Sequence, residues 1–128
     1  MRLKNFNVGF GEQVFKALGD ASRIRVLNLL LRNKELCIAD LELVLDFTQT
    51  KTSRHLIYLK NAGLVTFKKL DQWAFYYIKD EAMDLLQQMF SYLEKDPQLL
   101  KDQEVYQTLF SNRELAINRL QQRHFTGL

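Results

Sequence analysis

A mainly α fold with a small two-stranded antiparallel β hairpin is predicted by three features of this sequence. Apolar residues recur at three- and four-residue spacing along most of its 128 residues, the period of helices that each bury one face. Two stretches, Leu64 to Phe67 and Trp73 to Ile78, break that period and are rich in β-branched and aromatic residues, as strands are. Just before them, two helical segments are separated only by Asp46, Phe47 and Thr48. Helices joined this closely form a helix-turn-helix, and a hairpin that follows directly is a wing.

The elements follow in order. Phe10, Val14 and Leu18 repeat at i, i+4 and i+8 before Gly19, with Phe6, Val8 and Phe15 adding an aromatic and apolar N-terminal arm. Asp20 is placed to cap the next helix, whose stripe is Ile24, Leu27, Leu30 and Leu31. Ile38 to Leu45 is a short helix with Leu41, Val44 and Leu45 on one side. From Thr48 to Asn61, Thr52, Leu56 and Leu59 share one face while Lys51, Arg54, His55 and Tyr58 share another. Ala62-Gly63 ends that helix, with Gly63 suited to a left-handed position. Lys68 to Gln72 reads as the polar connection of the hairpin, with Lys68 and Lys69 at its tip. Beyond it, Ala82, Leu85, Leu86, Met89, Phe90 and Leu93 form a broad apolar face. Asp96-Pro97 starts a further helix carrying Leu99, Leu100, Val105, Tyr106, Leu109 and Phe110. A last segment, Asn112 to Arg123, offers Leu115, Ile117 and Leu120, with Ser111 or Asn112 either capping it or breaking the chain. This divides the chain into residues 1–95 and a C-terminal helical extension, 96–128, packed on the same domain.

Charge distribution points to the partner. Between Phe47 and Leu70 the chain runs 24 residues without Asp or Glu and places Lys51, Arg54, Lys60, Lys68 and Lys69 there. The other 13 of its 18 Lys and Arg are set against all 15 Asp and Glu. A near-neutral protein with one basic segment is suited to phosphate, since counterion release supplies most non-specific nucleic-acid affinity. The second helix of a helix-turn-helix conventionally enters the major groove N-terminus first. Here that end carries Thr48, Gln49, Thr50, Lys51, Ser53 and Arg54, followed by His55 and Tyr58. Gln can pair with adenine, Lys and Arg with guanine, and hydroxyls with base edge or phosphate. Lys68, Lys69 and Gln72 of the wing complete the candidate contacts with double-stranded DNA. His55 reads equally as a structural hydrogen-bonding residue, and Lys68 and Lys69 also as edge-strand charges that block aggregation.

The runs Ala17-Leu18-Gly19-Asp20-Ala21-Ser22-Arg23-Ile24-Arg25-Val26-Leu27, Glu35-Leu36-Cys37-Ile38-Ala39-Asp40-Leu41, Thr48-Gln49-Thr50-Lys51-Thr52-Ser53-Arg54-His55-Leu56 and Asn61-Ala62-Gly63-Leu64-Val65 resemble the ArsR/SmtB family of bacterial winged-helix repressors. The resemblance spans roughly residues 10 to 95. It implies a homodimer that binds an inverted-repeat operator and, in many members, is released by a small effector, here unidentified. It also implies N-terminal and C-terminal dimerisation helices, with Phe10, Val14, Leu18, Leu85, Leu86, Met89, Phe90 and Leu93 at the interface. Symmetry would place two reading helices roughly 34 Å apart.

The family's metal sites are matched only in fragments. Its thiolate-type site carries Cys-x-Cys, but here Cys37 is followed by Ala39, and one thiolate cannot supply three or four ligands. Its other site pairs an acid with two histidines after the wing; Asp80 is present, but Ala82 and Leu93 occupy the imidazole positions. The chain's two histidines are His55 and His124. No metal and no cofactor are therefore expected. Cys37 admits two readings, a buried small hydrophobe or a redox-sensitive thiol.

Other classes fit less well. There is no Gly-rich phosphate loop, no His-Glu metal motif and no nucleophile with base and orienter, so the chain does not read as an enzyme. A single Cys precludes an intramolecular disulfide, and no apolar run is long enough to span a bilayer; a cytoplasmic location without membrane contact is expected. The alternative from another class is a winged-helix protein-interaction module with only non-specific DNA contact.

Overall fold

The computed structural model describes residues 6–125, with side chains for 6–111. Six helices and three strands follow in the order α1 (Val8–Leu18), α2 (Ala21–Asn33), β1 (Glu35–Cys37), α3 (Ile38–Leu45), α4 (Gln49–Asn61), β2 (Val65–Leu70), β3 (Trp73–Ile78), α5 (Asp80–Phe90) and α6 (Pro97–Phe125). A 3-10 turn, Ser91–Leu93, joins the last two helices.

Four helix starts, those of α1, α2, α4 and α6, are capped by a side chain. Asn7 caps α1 by accepting from the Phe10 amide at 2.9 Å, and Asp20 caps α2 by accepting from Arg23 at 3.1 Å. Thr48 caps α4 through the Lys51 amide at 3.1 Å, and Asp96 begins α6 by accepting from Leu99 at 3.0 Å. Such caps satisfy amides that have no partner inside the helix.

The end of α4 decides where the wing leaves. Gly63 has φ +80°, its amide donates to the Lys60 carbonyl at 3.0 Å, and the Leu64 amide donates to Leu59 at 3.1 Å. These are the two bonds of a Schellman turn. The turn sends Leu64 and Val65 straight into the core, where both are buried.

That core is assembled from one face of every element. Val14 and Ala17 of α1 meet Val26, Leu27, Leu29 and Leu30 of α2, Leu41 and Leu45 of α3, and Leu56 and Leu59 of α4. Leu64, Val65, Ile78, Ala82 and Leu86 close it from the wing and α5. Complete burial of Val14 and Leu86 within one protomer corrects their assignment to a dimer interface. Besides these, α1 leaves Val8 and Phe15 exposed, and α5 keeps Leu85, Met89 and Phe90 half-buried.

The sheet has order β1-β3-β2 and is antiparallel throughout. The wing hairpin is as expected, but β1 adds a third strand, pairing Glu35 with Tyr77 and Cys37 with Phe75. Three residues are too few to show an alternating pattern, which is why the strand is silent in the sequence. The polar connection also shrinks. Lys68, Lys69 and Leu70 lie in β2 opposite Phe75, Ala74 and Trp73, leaving Asp71 and Gln72 as a two-residue turn with Asp71 at φ +57°. Tight hairpins need a left-handed residue, which Asp tolerates.

The C-terminal region is one continuous helix rather than two segments; neither Ser111 nor Asn112 breaks it. The side chains of Leu115, Ile117, Leu120 and His124 lie outside the described residues. The first turns of α6 dock on α2 and α3. Leu99 is buried, the Asn28 amide group donates to the Leu99 carbonyl at 3.5 Å, and Asn33 and Gln103 bond each other reciprocally at 2.7 and 2.8 Å.

Gly63 carries a test of this frame. A Cβ there would lie 3.1 Å from two ring carbons of Phe10, and a left-handed φ costs an L side chain about 1–2 kcal/mol. Gly63→Ala should therefore lower the unfolding free energy by at least that amount, seen as a lower urea midpoint at unchanged slope.

Candidate nucleic-acid interface

The inward face of α4 is Thr52, Leu56 and Leu59, all fully buried. Thr52 also ties its hydroxyl back to the Thr48 carbonyl at 2.9 Å. With that face fixed, helical geometry turns the rest outward. Thr48, Gln49, Thr50, Lys51, Arg54 and Tyr58 are exposed, while Ser53 and His55 are half-buried.

Lys51, Arg54, His55 and Tyr58 line a cleft of about 380 Å³ whose fifth wall is Arg23, from α2. Sequence reasoning missed Arg23 because it stands one turn ahead of the buried Val26, Leu27 and Leu30 on the same face of α2, where nothing local links it to α4. Its guanidinium is largely enclosed, with a 13% exposed side chain. Nε donates to the Ala17 carbonyl at 2.8 Å and Nη2 to the Lys16 carbonyl at 3.1 Å. The same group lies over the Tyr58 ring at 4.0 Å. It thus caps the C-terminus of α1 while packing on α4, and only its position after the cap residue Asp20 could have flagged it.

His55 is the titratable centre of this cleft. Its Nδ1 is 3.5 Å from Arg23 Nη1, a contact in which the imidazole can accept only while neutral. Burial pushes its pKa below the usual 6.5; the Asp20 carboxylate opposes that, and Arg23, Lys51 and Arg54 add to it. Burial alone would raise the pKa of Asp20, but the Arg23 amide and charge hold it below the ordinary carboxylate value.

The remaining cations are held by rings. Lys51 Nζ lies 4.0 Å from the Phe47 ring and Lys60 Nζ 4.9 Å from Phe67, which itself packs on Tyr76 at 5.2 Å. In the wing, Lys68 reaches across Tyr77 to Glu35, with Nζ 2.8 Å from Oε2. That hydrogen bond raises the Lys68 pKa, so Lys68 is engaged within the protomer while Lys69 and Gln72 are exposed. Trp73 and Leu70 face each other at the tip, 50% and 56% exposed.

Cys37 is buried and donates its Sγ–H to Asp40 Oδ2 at 3.2 Å. The thiol is thus enclosed at the start of α3, and Ala39 supplies no second donor, so a paired-thiolate site does not fit these residues. No group of three His, Cys, Asp or Glu among the described residues is arranged to hold a metal ion.

This geometry, a buried helix-turn-helix with an outward acid-free helix and a basic wing, defines the class of winged helix-turn-helix DNA-binding regulators. The model of the bacterial regulatory protein arsR family matches residues 20–66, from the α2 cap into β2. The chain is 36% identical over 73 residues to the arsenical resistance operon repressor of Bacillus subtilis, covering 57% of this chain and 70% of the repressor. It is 40% identical over 68 residues to the arsenic resistance transcriptional regulator ArsR1 of Pseudomonas putida, covering 53% of each, so it spans about half the length of that relative. The homodimeric winged helix-turn-helix DNA-binding domain of Mb0332 from Mycobacterium bovis shares the fold, with TM-score 0.63 and 22% identity over 70% of this chain and 83% of that one. The chain belongs to the ArsR family.

His55 gives this site a pH signature. Its folded pKa is depressed, so on acidification the unfolded chain takes up the proton first, and stability is lost as pH falls below about 6.5. Unfolding free energy measured between pH 5 and 7 should rise with pH in the native chain. His55→Gln should flatten that rise.

Proposed function

We propose that this chain is a sequence-specific DNA-binding repressor of the ArsR type that works as a homodimer in the cytoplasm, reading an inverted-repeat operator through α4 and the wing. The observation that carries this reading is the outward face of α4. Gln49, Thr50, Lys51 and Arg54 stand exposed in a stretch without one carboxylate, on a helix anchored by its opposite face.

In this reading Thr48, Gln49, Thr50, Lys51, Ser53 and Arg54 approach base edges and phosphates, and His55 and Tyr58 line the backbone side. Lys69 and Gln72 reach the flanking groove. Lys68 joins them only by leaving Glu35, a step that costs little because the pair is exposed and screened by solvent. Residues 1–95 supply reading and dimerisation, and 96–128 act as an extension of the same unit.

The dimer face is argued from what the protomer leaves exposed. Val8 and Phe15 of α1 are 90% and 59% exposed, and Tyr92, just after α5, is 91% exposed. Phe10, Leu18, Leu85 and Phe90 sit partly buried at the edge of the core, with Met89 and Leu93 beside them, half-buried. These residues give α1 and α5 an apolar margin that a twofold mate would cover. The Mb0332 domain, which shares the fold, is homodimeric.

Two measurements test these statements. Duplexes selected from a random library at near-physiological salt should converge on an inverted repeat with half-sites about one turn apart. Against that operator, Arg54→Ala should cost about 1–3 kcal/mol and relax one position, whereas Lys69→Ala should weaken all duplexes alike and reduce the salt slope by about one. Equal responses to both substitutions would overturn sequence-specific reading and favour backbone contact alone. Separately, Phe15→Glu should convert the dimer to a monomer in sedimentation while leaving protomer unfolding intact.

A further inference from the structure

Resting on the reading of α4 as the DNA-reading helix, we propose that Asp102 of α6 is a positioning residue for it. Through Arg25 and Phe47 it fixes the N-terminal turn of α4, so that the C-terminal extension sets where Lys51 and its neighbours stand.

The chain of contacts is continuous. Asp102 is only 2% exposed. Its Oδ2 accepts from Arg25 Nε at 2.9 Å, and its Oδ1 accepts from Arg25 Nη2 at 2.9 Å and from Gln98 Nε2 at 2.9 Å. Two parallel bonds fix the plane of a guanidinium, not merely its distance. The fixed group lies 5.5 Å from the centre of the Phe47 ring. Phe47 is the middle residue of the three-residue turn between α3 and α4, and its amide donates to the Glu42 carbonyl at 3.2 Å. The same ring holds Lys51 Nζ at 4.0 Å and meets the His55 ring at 6.4 Å. One aromatic side chain therefore joins the α6-anchored arginine to two residues of the DNA-reading face.

The link is separable from the docking of α6 itself. Leu99, the Asn28 contact and the reciprocal Asn33–Gln103 pair hold α6 on α2 without involving Phe47. Removing the Asp102 charge frees Arg25, whose side chain is 25% exposed and can turn to water. Phe47 then loses one of the cations packed on it, while α6 keeps its other anchors.

The test uses the whole protein, with Asp102→Asn as the isosteric variant and Glu104→Gln, exposed on the same helix, as control. Amide hydrogen exchange is read without DNA, and affinity is read for the selected operator and for a random duplex. In Asp102→Asn, exchange of residues 46–52 should accelerate and operator affinity should fall, each by about 3- to 30-fold, the range of coupling through such networks. Random-duplex affinity should stay within about twofold. Glu104→Gln should change neither. Acceleration confined to α2 and α6, or acceleration at 46–52 with operator affinity intact, overturns the proposal. If Asp102→Asn fails to fold, Phe47→Leu takes its place, and the absence of acceleration at 48–52 overturns the proposal equally. If the native chain selects no operator, the DNA reading itself has failed, and exchange at 46–52 alone decides whether Asp102 positions α4.

Discussion

On the proposed DNA face, Lys51 and Lys60 are held by aromatic rings, and Arg23 by a ring and main-chain carbonyls with Asp20 3.8 Å away. Lys51 rests on Phe47, Arg23 on Tyr58, and Lys60 on Phe67. A carboxylate partner would fix a lysine as well, but it would cancel the charge and compete with phosphate. A ring attracts the cation by about 0.5–1 kcal/mol at an exposed site and leaves the field intact. In the acid-free stretch from Phe47 to Leu70, Lys51 and Lys60 are oriented in this way without being neutralised, while Lys68 reaches out of the stretch to Glu35. Burial of Thr52, Leu56 and Leu59 does the rest, since a helix fixed by one face cannot turn its cations elsewhere.

Carboxylates are used where the charge need not be presented. Asp102 holds Arg25 between α2 and α6, and Glu35 holds Lys68 on the outer side of the sheet. These two pairs differ in consequence. The exposed Lys68–Glu35 pair is screened by solvent and easily exchanged for a phosphate. Asp102 has little water, so losing its partner would leave a buried charge, and such pairs serve geometry more than stability. Placement of the acids thus divides the cations into a group that orders the protomer and a group left for a polyanion.

Much of this could be read from the sequence because it is written at short range. The caps Asp20 and Asp96, the two faces of α4, the three-residue turn and the Gly63 stop are all local patterns, and the structure places each where those patterns put it. What was illegible depends on distance along the chain. β1 becomes a strand only because β3 returns beside it. Arg23 and Arg25 are two residues apart on one helix and so point in nearly opposite directions, and nothing nearby says that one caps α1 while the other meets α6. Val14 and Leu86 failed as interface residues for a related reason: periodicity shows that a helix has an apolar face but not whether its own protomer consumes it. Exposure of Val8 and Phe15 settles which side of α1 is left over.

Arg23 joins that leftover side to the DNA-reading face. The carbonyls of Lys16 and Ala17, at the end of α1, converge on one guanidinium whose other contact is the ring of Tyr58 in α4. A displacement of α1 therefore cannot occur without either moving Tyr58 or breaking two hydrogen bonds on a largely enclosed group. In a twofold dimer built on α1, the separation and tilt of the two reading helices would be set through this group twice, once in each protomer. Lysine could not replace it. An ammonium is a point charge that can approach a carbonyl or a ring, whereas the planar fork of arginine does both at once and keeps a fixed angle between them. Any rigidity that such a dimer would need for reading two half-sites in register would thus come from the shape of the guanidinium as much as from its charge.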